Sequence, residues 1–339
     1  MNLIGKKIMI FGGTGSLGKK LISRFFQSNN VAVYSRDESK HWTIKNELRS
    51  HYEAKNLEFF VGDVRDKDRV REAIRLYKPT HIIIAAALKQ VDTCELSPGE
   101  SIATNITGTQ NVIAVVNDLQ HPDIEAVLFV STDKACAPVN VYGMCKSISE
   151  RIVTSQTGHG RSKTKFLAVR YANVLESRGS IIPLFKYQAE NNDFLTVTDP
   201  EMTRYVMTLD DSVNLIEFAM LNGVSGETWI PKLKAMKIGD LAEIFASIYK
   251  RRVKVVGLRP GEKKHEDLIN ESESVRTRDI KTHFVILPAL TLGTGQRFTY
   301  SSDQNVMTPE ELRVHLTELN IIDRPSSSFE GKNIEEICK

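Results

Sequence analysis

A hydroxyl, a carboxyl and an amine stand side by side at Thr132, Asp133 and Lys134, and Tyr142 and Lys146 follow after Pro138-Val139-Asn140. Tyr-x-x-x-Lys spacing puts both side chains on one helical face. A nearby ammonium favours the phenolate, so such a tyrosine can act as a base below its ordinary pKa of about 10. Oxidising an alcohol needs only that pair and a hydroxyl donor such as Thr132. The added carboxyl and amine of Asp133-Lys134 point to further proton transfers. The chain has nine tyrosines, so one such pair is expected by chance. Its meaning comes from the elements around it.

Those elements alternate. Expected strands are Lys7–Phe11, Val31–Tyr34, Leu57–Val61, His81–Ala86, Ala126–Ser131 and Phe166–Arg170. Expected helices are Ser16–Ser28, Asp37–His51, Lys67–Tyr77, Pro98–Leu119 and Asn140–Ser155. β-Branched strands between amphipathic helices predict a parallel sheet covered on both faces. After Tyr171 the rhythm breaks. Short strands at Phe194–Thr198, Arg204–Thr208, Glu227–Ile230 and Val253–Gly257 mix with helices at Asp210–Leu221, Ile238–Tyr249 and Thr308–Leu319. The last helix has Thr308 as N-cap, Pro309 at its first position and Glu311 completing a capping box. Pro325–Ser328 reads as loop, and mobility is expected of the last dozen residues. The fold class is α/β: a doubly wound, Rossmann-type parallel sheet with a smaller C-terminal substrate domain. Residues 1–172, with a return segment 207–231, form the nucleotide-binding domain; 173–206 and 232–339 form the substrate domain.

Gly12, Gly15 and Gly18 open the first helix directly after the first strand, with Ser16 and Leu17 between the last two. Glycines there let backbone N–H groups approach a pyrophosphate and let helix and strand pack closely. The helix N-terminus stabilises the anion. A dinucleotide is therefore expected, with Lys146 in reach of its nicotinamide ribose. The second strand runs into Ser35-Arg36-Asp37. Ser35 and Arg36 can serve the 2′-phosphate of NADP, whereas Asp37 could serve the 2′-hydroxyl of NAD. Asp37 also reads as N-cap of the next helix, with Glu38 in its first turn, so the assignment is NADP. Asp63, in Gly62-Asp63-Val64 after the third strand, can accept from the adenine amino group. The small residues Ala85, Ala86 and Ala87 let the cofactor lie against the fourth strand.

Composition sets the bounds. The chain has 339 residues, 41% hydrophobic and 26% charged, with enough apolar surface for a core. Its net charge is +3, and the basic residues are scattered, so neither nucleic acid nor membrane is an expected partner. The longest apolar runs, such as Ile82–Leu88, fall short of the ~18 residues of a membrane span. Lys6–Lys7 and the short apolar run after them do not make a signal peptide. The four cysteines, Cys94, Cys136, Cys145 and Cys338, contain no CxxC, and the histidines show no metal-ligand spacing; no metal is expected, and the compartment is expected to be reducing and cytoplasmic. Cys136 and Cys145 read as small packing residues.

Over nearly its whole length the sequence resembles the extended short-chain dehydrogenase/reductases, and closely the inverting, 5-epimerising UDP-N-acetylglucosamine 4,6-dehydratases. The resemblance rests on Gly12–Gly18, Tyr34–Glu38, Ala85–Lys89, Ser131–Ala135, Asn140–Lys146, Arg170–Pro183, Asp199–Leu209 and Arg259–Glu266. Ala172, Glu176 and Lys264 depart from the usual residues there. The resemblance implies an internal redox cycle on bound NADP. Tyr142 takes the sugar 4-OH proton while C4 gives hydride, with Thr132 hydrogen-bonded to the oxygen and Lys146 supporting the phenolate. Lys134 then removes the C5 proton, Asp133 protonates the leaving 6-OH, hydride returns to C6, and C5 is reprotonated on the opposite face. The product is UDP-2-acetamido-2,6-dideoxy-β-L-arabino-hex-4-ulose. For this, Asp133 must titrate high and Lys134 low; burial pushes both that way, and the charge of Lys146 would aid the second. The resemblance also implies Lys89, Arg204 and Arg259 as charge partners of the nucleotide diphosphate. Asn173, Thr198, Met202 and Glu262 are candidates for the sugar, pyrophosphate or nucleoside. A homo-oligomer, by family habit a hexamer, is expected. The alternatives are a retaining 4,6-dehydratase or a 4-epimerase of a UDP-sugar, and, from another class, a non-enzymatic NADP-sensing module.

Overall fold

A computed structural model describes residues 2–49, 56–119, 123–159, 163–175 and 180–322. His51, Glu176, Pro325–Ser328, the C-terminal dozen and Cys338 lie outside the described residues. Strands β1 to β6 are Lys7–Phe11, Asn30–Ser35, Leu57–Val61, His81–Ile84, Ala126–Val130 and Lys165–Val169. Strands β7 to β15 are Phe194–Val197, Thr203–Tyr205, Thr228–Pro231, Ala235–Lys237, Arg252–Val255, Asp267–Ile269, Thr277–Ile280, His283–Ile286 and Tyr300–Ser301. Helices α1 to α6 are Ser16–Phe25, Glu38–Arg49, Lys67–Tyr77, Val91–Leu96, Pro98–Ser101 and Gly108–Leu119. Helices α7 to α12 are Val141–Thr154, Ile181–Asn191, Leu209–Asn222, Ile238–Tyr249, Glu271–Ser274 and Pro309–Glu318.

The chain divides into two units. The first is Met1–Tyr171, Asp210–Pro231 and Asn270–Phe298; the second is Ala172–Leu209, Lys232–Ile269 and Thr299–Lys339. In the first unit nine strands form one sheet in the order β13-β14-β9-β6-β5-β4-β1-β2-β3. From β9 to β3 neighbouring strands run parallel, and β14 and β13 extend the edge antiparallel. Ile8–Phe11, Val31–Tyr34, Ile82–Ile84 and Val127–Phe129 are buried throughout, as strands covered on both faces must be. Strand order reverses between β1 and β4, where open α/β sheets bind ligands.

Two expectations change here. Residues 270–298, read from sequence as part of the substrate domain, belong to the first unit, because β14 pairs with β9 from His283↔Pro231 to Ile286↔Thr228. The single helix expected over Pro98–Leu119 is interrupted: Ile102–Thr107 is π-helical. Its Asn105 accepts from Leu88 N at 2.8 Å and donates to Leu88 O at 2.9 Å, which anchors the loop after β4. Inside helices, π turns are frequent at functional sites.

The second unit has three two-stranded pairs: β10–β8 and β12–β15 antiparallel, β11–β7 parallel. Phe185, Leu195, Val197, Leu241, Phe245 and Leu312 pack in its core. At α12, Thr308 Oγ1 accepts from Glu311 N at 3.2 Å and Glu311 Oε2 accepts from Thr308 N at 2.9 Å, the capping box read from sequence. Among the described residues no helix is long and apolar enough to cross a membrane.

Candidate active site

The glycine turn is shaped by two different constraints. Gly12 has φ +85°, and a Cβ there would lie 2.6 Å from Ala86 N, so the β1 turn presses on the Ala85-Ala86-Ala87 loop. A Cβ at Gly18 would lie 2.4 Å from the Gly13 backbone. At Gly15, by contrast, a Cβ would meet only Gly12 O, at 3.7 Å. The protein itself does not require glycine at that point. Gly15 is the N-cap of α1 and makes no side-chain cap bond, and the first turn, from Ser16 and Leu17, has no acidic residue. An open helix N-terminus of this kind suits a pyrophosphate.

At the end of β2, Asp37 caps α2: its Oδ1 accepts from Lys40 N at 3.0 Å and its Oδ2 pairs with Lys40 Nζ at 2.5 Å. The Lys40 hydrogen bonds hold its carboxyl below the ordinary range. Ser35 and the exposed Arg36 are left at the strand terminus. Arg36 Nη1 lies 3.6 Å from Asp63 Oδ2. Asp63 also accepts from Arg65 N, Nε and Nη2 at 2.9, 2.9 and 2.7 Å, so Arg65, which sequence reasoning passed over, shares this corner. Burial pushes the Asp63 carboxyl up, but the bonds from Arg65 outweigh it and hold it low. Val64 is buried, and a Cβ on Gly108 would meet it at 2.6 Å.

The chemical segment is a single hydrogen-bonded line. Thr132 caps a 3-10 turn over Asp133–Ala135. Asp133 is fully buried, and its Oδ1 accepts from Thr132 Oγ1 and Lys134 N at 2.8 Å each and from Lys134 Nζ at 3.2 Å. Its Oδ2 and the nearby Ser131 Oγ are buried with no hydrogen-bond partner. Asn140 caps α7 by accepting from Gly143 N at 2.8 Å. A Cβ on Gly143 would sit 2.2 Å from Lys134 O, so only glycine lets α7 begin against this turn. That contact fixes Tyr142 beside Thr132 and Lys134. Burial pushes the Tyr142 phenol up to about 12, while the charge of Lys134 and a hydrogen bond with Thr132 pull it down.

Lys146 is buried, donates to Val130 O at 2.5 Å and lies 4.0 Å over the Phe129 ring. Burial pulls Lys146 down to about 7, against the pull of the Glu150 carboxylate one turn along α7. Glu150 in turn receives Arg170, whose Nη2 donates to it at 2.6 Å and whose Nη1 donates to Glu273 at 2.8 Å. All three are nearly inaccessible. Glu150, Arg170 and Glu273 thus form a buried ionic cluster, which Arg151 joins through Glu273 Oε1 at 3.5 Å.

The first unit also carries Lys89, exposed beyond the Ala85–Ala87 loop. In the second unit, Arg204 Nη1 donates to Thr203 O and Lys264 O at 2.7 and 3.1 Å, and Nη2 donates to Lys263 O at 2.9 Å. Arg204 thereby clamps the loop that bears Arg259 and Glu262. Glu262 Oε2 accepts from Arg259 N at 3.2 Å, and the Arg259 side chain is exposed. Thr198 Oγ1 lies 3.0 Å from the sulfur of the buried Met202; Asn173 is exposed. Cys94, Cys136 and Cys145 are buried and form no disulfide among the described residues. Among the described residues, no group of His, Cys, Asp and Glu could hold a metal ion.

A family model described as polysaccharide biosynthesis protein matches residues 8–288. The UDP-N-acetylglucosamine 4,6-dehydratase (inverting) of Campylobacter jejuni subsp. jejuni is 38% identical over 325 residues, which is 89% of this chain and 93% of that protein. The UDP-glucose 4-epimerase of Rickettsia bellii is 36% identical over 294 residues, 84% of this chain and 83% of that protein. The X-ray structure of Pen from Bacillus thuringiensis has a TM-score of 0.86 at 35% identity, covering 94% of this chain and 100% of that one.

Proposed function

This chain belongs to the polysaccharide biosynthesis protein family, and on that premise we propose that it is an NADP-dependent UDP-N-acetylglucosamine 4,6-dehydratase that inverts C5. The observation that carries this reading is Asp133. Its Oδ1 takes three donors and its Oδ2 takes none, so Oδ2 is the oxygen suited to carry a proton and deliver it to a departing hydroxyl. A 4-epimerase moves one hydride off C4 and back, and leaves such an acid without work. The similarity to a protein named UDP-glucose 4-epimerase makes that activity the second reading.

The bound nicotinamide supplies the hydride acceptor and donor. Tyr142, as the phenolate, receives the proton of the 4-OH and becomes a neutral phenol. With C4 oxidised, C5–H is acidic, and the Lys134 amine is the base beside Asp133 to remove it. Asp133 protonates the 6-OH as water leaves. Lys134 then has a proton to return to C5. Each such transfer is worth about 10²–10⁴ in rate. The cytoplasm and a homo-oligomer complete the reading; Met144 and Ile148 leave an apolar stripe exposed on α7.

The deciding experiment is NMR of UDP-N-acetylglucosamine with the protein in ²H₂O and substoichiometric NADP⁺. The expected product has a C6 methyl carrying the substrate's own C4 hydrogen, deuterium at C5 and L-arabino coupling constants. A D-xylo product at early times would overturn the inversion alone. A C4 epimer with no methyl and no deuterium at C5 would establish the second reading.

Cofactor choice has its own test. Arg36→Ala should weaken NADP⁺ about tenfold to a hundredfold, the worth of a hydrogen bond to a charged group, and leave NAD⁺ binding nearly unchanged. Titration of both cofactors measures it; equal affinities in the unmodified protein would rule out NADP.

A further inference from the structure

Behind Ser35, at the β2 terminus, stands a histidine that neither the mechanism nor the glycine turn uses. His41 lies in α2 and is 5% exposed. Its Nε2 is 2.7 Å from Ser35 Oγ. Thr14, from the glycine turn, has its Oγ1 3.3 Å from the same Ser35 oxygen. The ring packs against Phe59 of β3, centroids 5.1 Å apart. Nδ1 is buried and has no hydrogen-bond partner. A hydroxyl pair therefore bridges the pyrophosphate turn and the end of β2, with one imidazole as its buried terminus.

The proton inventory of this chain is fixed by its inner end. A neutral imidazole has one N–H and one acceptor nitrogen. If the proton sat on Nδ1, a buried donor would go unmet, at the cost of a full desolvation penalty. With the proton on Nε2 only a lone pair is unmet. The imidazolium would again strand an N–H on Nδ1, and burial, against the carboxylates of Asp37 and Glu38, holds His41 below its ordinary value. Nε2–H thus donates to Ser35 Oγ. The Ser35 proton cannot then point at His41. It goes outward, or it goes to Thr14, in which case the Thr14 proton goes outward. Either way the pair offers one hydroxyl proton to whatever sits at the β2 end.

We propose that His41 is a positioning residue for cofactor selection: its Nε2–H locks the Ser35–Thr14 pair as an outward hydrogen-bond donor to the 2′-phosphate of NADP. This rests on the NADP reading above. A phosphate dianion only accepts hydrogen bonds, whereas a ribose 2′-hydroxyl donates or accepts equally well. A fixed donor therefore favours the phosphate and is indifferent to the hydroxyl. Arg36 supplies charge at this corner; His41 supplies the polarity of the hydroxyls.

The test compares His41→Leu, which keeps bulk without a donor, with His41→Gln, whose amide N–H can replace Nε2–H. Dissociation constants for NADP⁺ and NAD⁺ are measured on each purified protein. His41→Leu should lose about tenfold in NADP⁺ affinity, which is 1.4 kcal/mol, with NAD⁺ unchanged, and His41→Gln should recover most of it. An unchanged NADP⁺/NAD⁺ ratio in His41→Leu, or an equal fall for both cofactors, would overturn the proposal. ¹⁵N NMR of the unmodified protein gives an answer that needs no variant: the proton must be on Nε2, and an Nδ1–H tautomer refutes the mechanism. If the unmodified protein shows no preference for NADP⁺, the cofactor reading fails first and this proposal falls with it.

Discussion

Tyr142→Phe should lower turnover about 10²–10⁴-fold, the range for a lost acid–base group, and mixing it with substrate should produce no absorbance of reduced nicotinamide. The ring keeps its packing and only the hydroxyl is lost. Asp133→Asn should be comparably slow but fail at a different point. Asparagine's oxygen can still accept from Thr132 and Lys134 N, so the turn survives, but the amide cannot deliver a proton to the 6-OH. Oxidation at C4 should proceed and water loss should stall, so reduced nicotinamide accumulates in a single turnover. Stopped-flow absorbance with substrate separates the two variants. Identical traces would mean that Asp133 and Tyr142 act in the same step.

The largest expected effect on stability is at Arg170. Arg170→Met leaves the Glu150 and Glu273 carboxylates facing one another in the interior, and removing one partner of a buried ionic cluster costs about 3–5 kcal/mol. Urea denaturation should show a loss of unfolding free energy of that size. Replacing Glu150 and Glu273 by glutamine in the same protein should restore much of it; a loss under about 1 kcal/mol from Arg170→Met alone would mean that water reaches these carboxylates. The pH dependence has a definite sign. Burial pushes the Glu273 carboxyl up, but the charge and hydrogen bonds of Arg170, a backbone bond at Asn270 and Arg151 outweigh it and hold it at about 2. A carboxyl held below its unfolded value adds stability that is complete above about pH 4.5 and is lost as pH falls through about 2.

The sequence was most informative where structure is local. The strands β1 to β6 announce themselves as apolar runs, and each is present within a residue or two of its expected place. Asp37 and Thr308 were readable as caps because a cap needs only three following residues. Tyr142 and the Asp133-Lys134 pair were readable for the same reason, since one turn of chain holds them together. What escaped depends on distant partners. In the π turn, Asn105 bonds to Leu88, seventeen residues earlier. The contacts of the Lys146 amine with Val130 O and the Phe129 ring come from β5, sixteen or more residues away. Arg204 was readable as a charge, but its bonds to Lys263 O and Lys264 O, some sixty residues on, were not. No periodicity in 270–298 reveals that its strands continue the first sheet. His41 gives no signal at all in sequence, being one of eight histidines.

The division of each unit into three stretches has a consequence for the order in which the protein can be made. Glu273 is 103 residues beyond Arg170, and β14, which covers the edge of β9, arrives later still. At about 5–20 residues per second of synthesis, the nascent chain spends several seconds with Arg170 holding one carboxylate of its two. From the completion of β9 at Pro231 until β14 begins at His283, β9 presents an unpaired edge, the kind that recruits strands from other chains. Most of the second unit's chain is threaded between Arg170 and Glu273, before the first unit has its last pieces. The first unit therefore gains its last strands only after most of the second unit's chain has been made, and a chain that stops before Asn270 carries a sheet whose β9 edge is open.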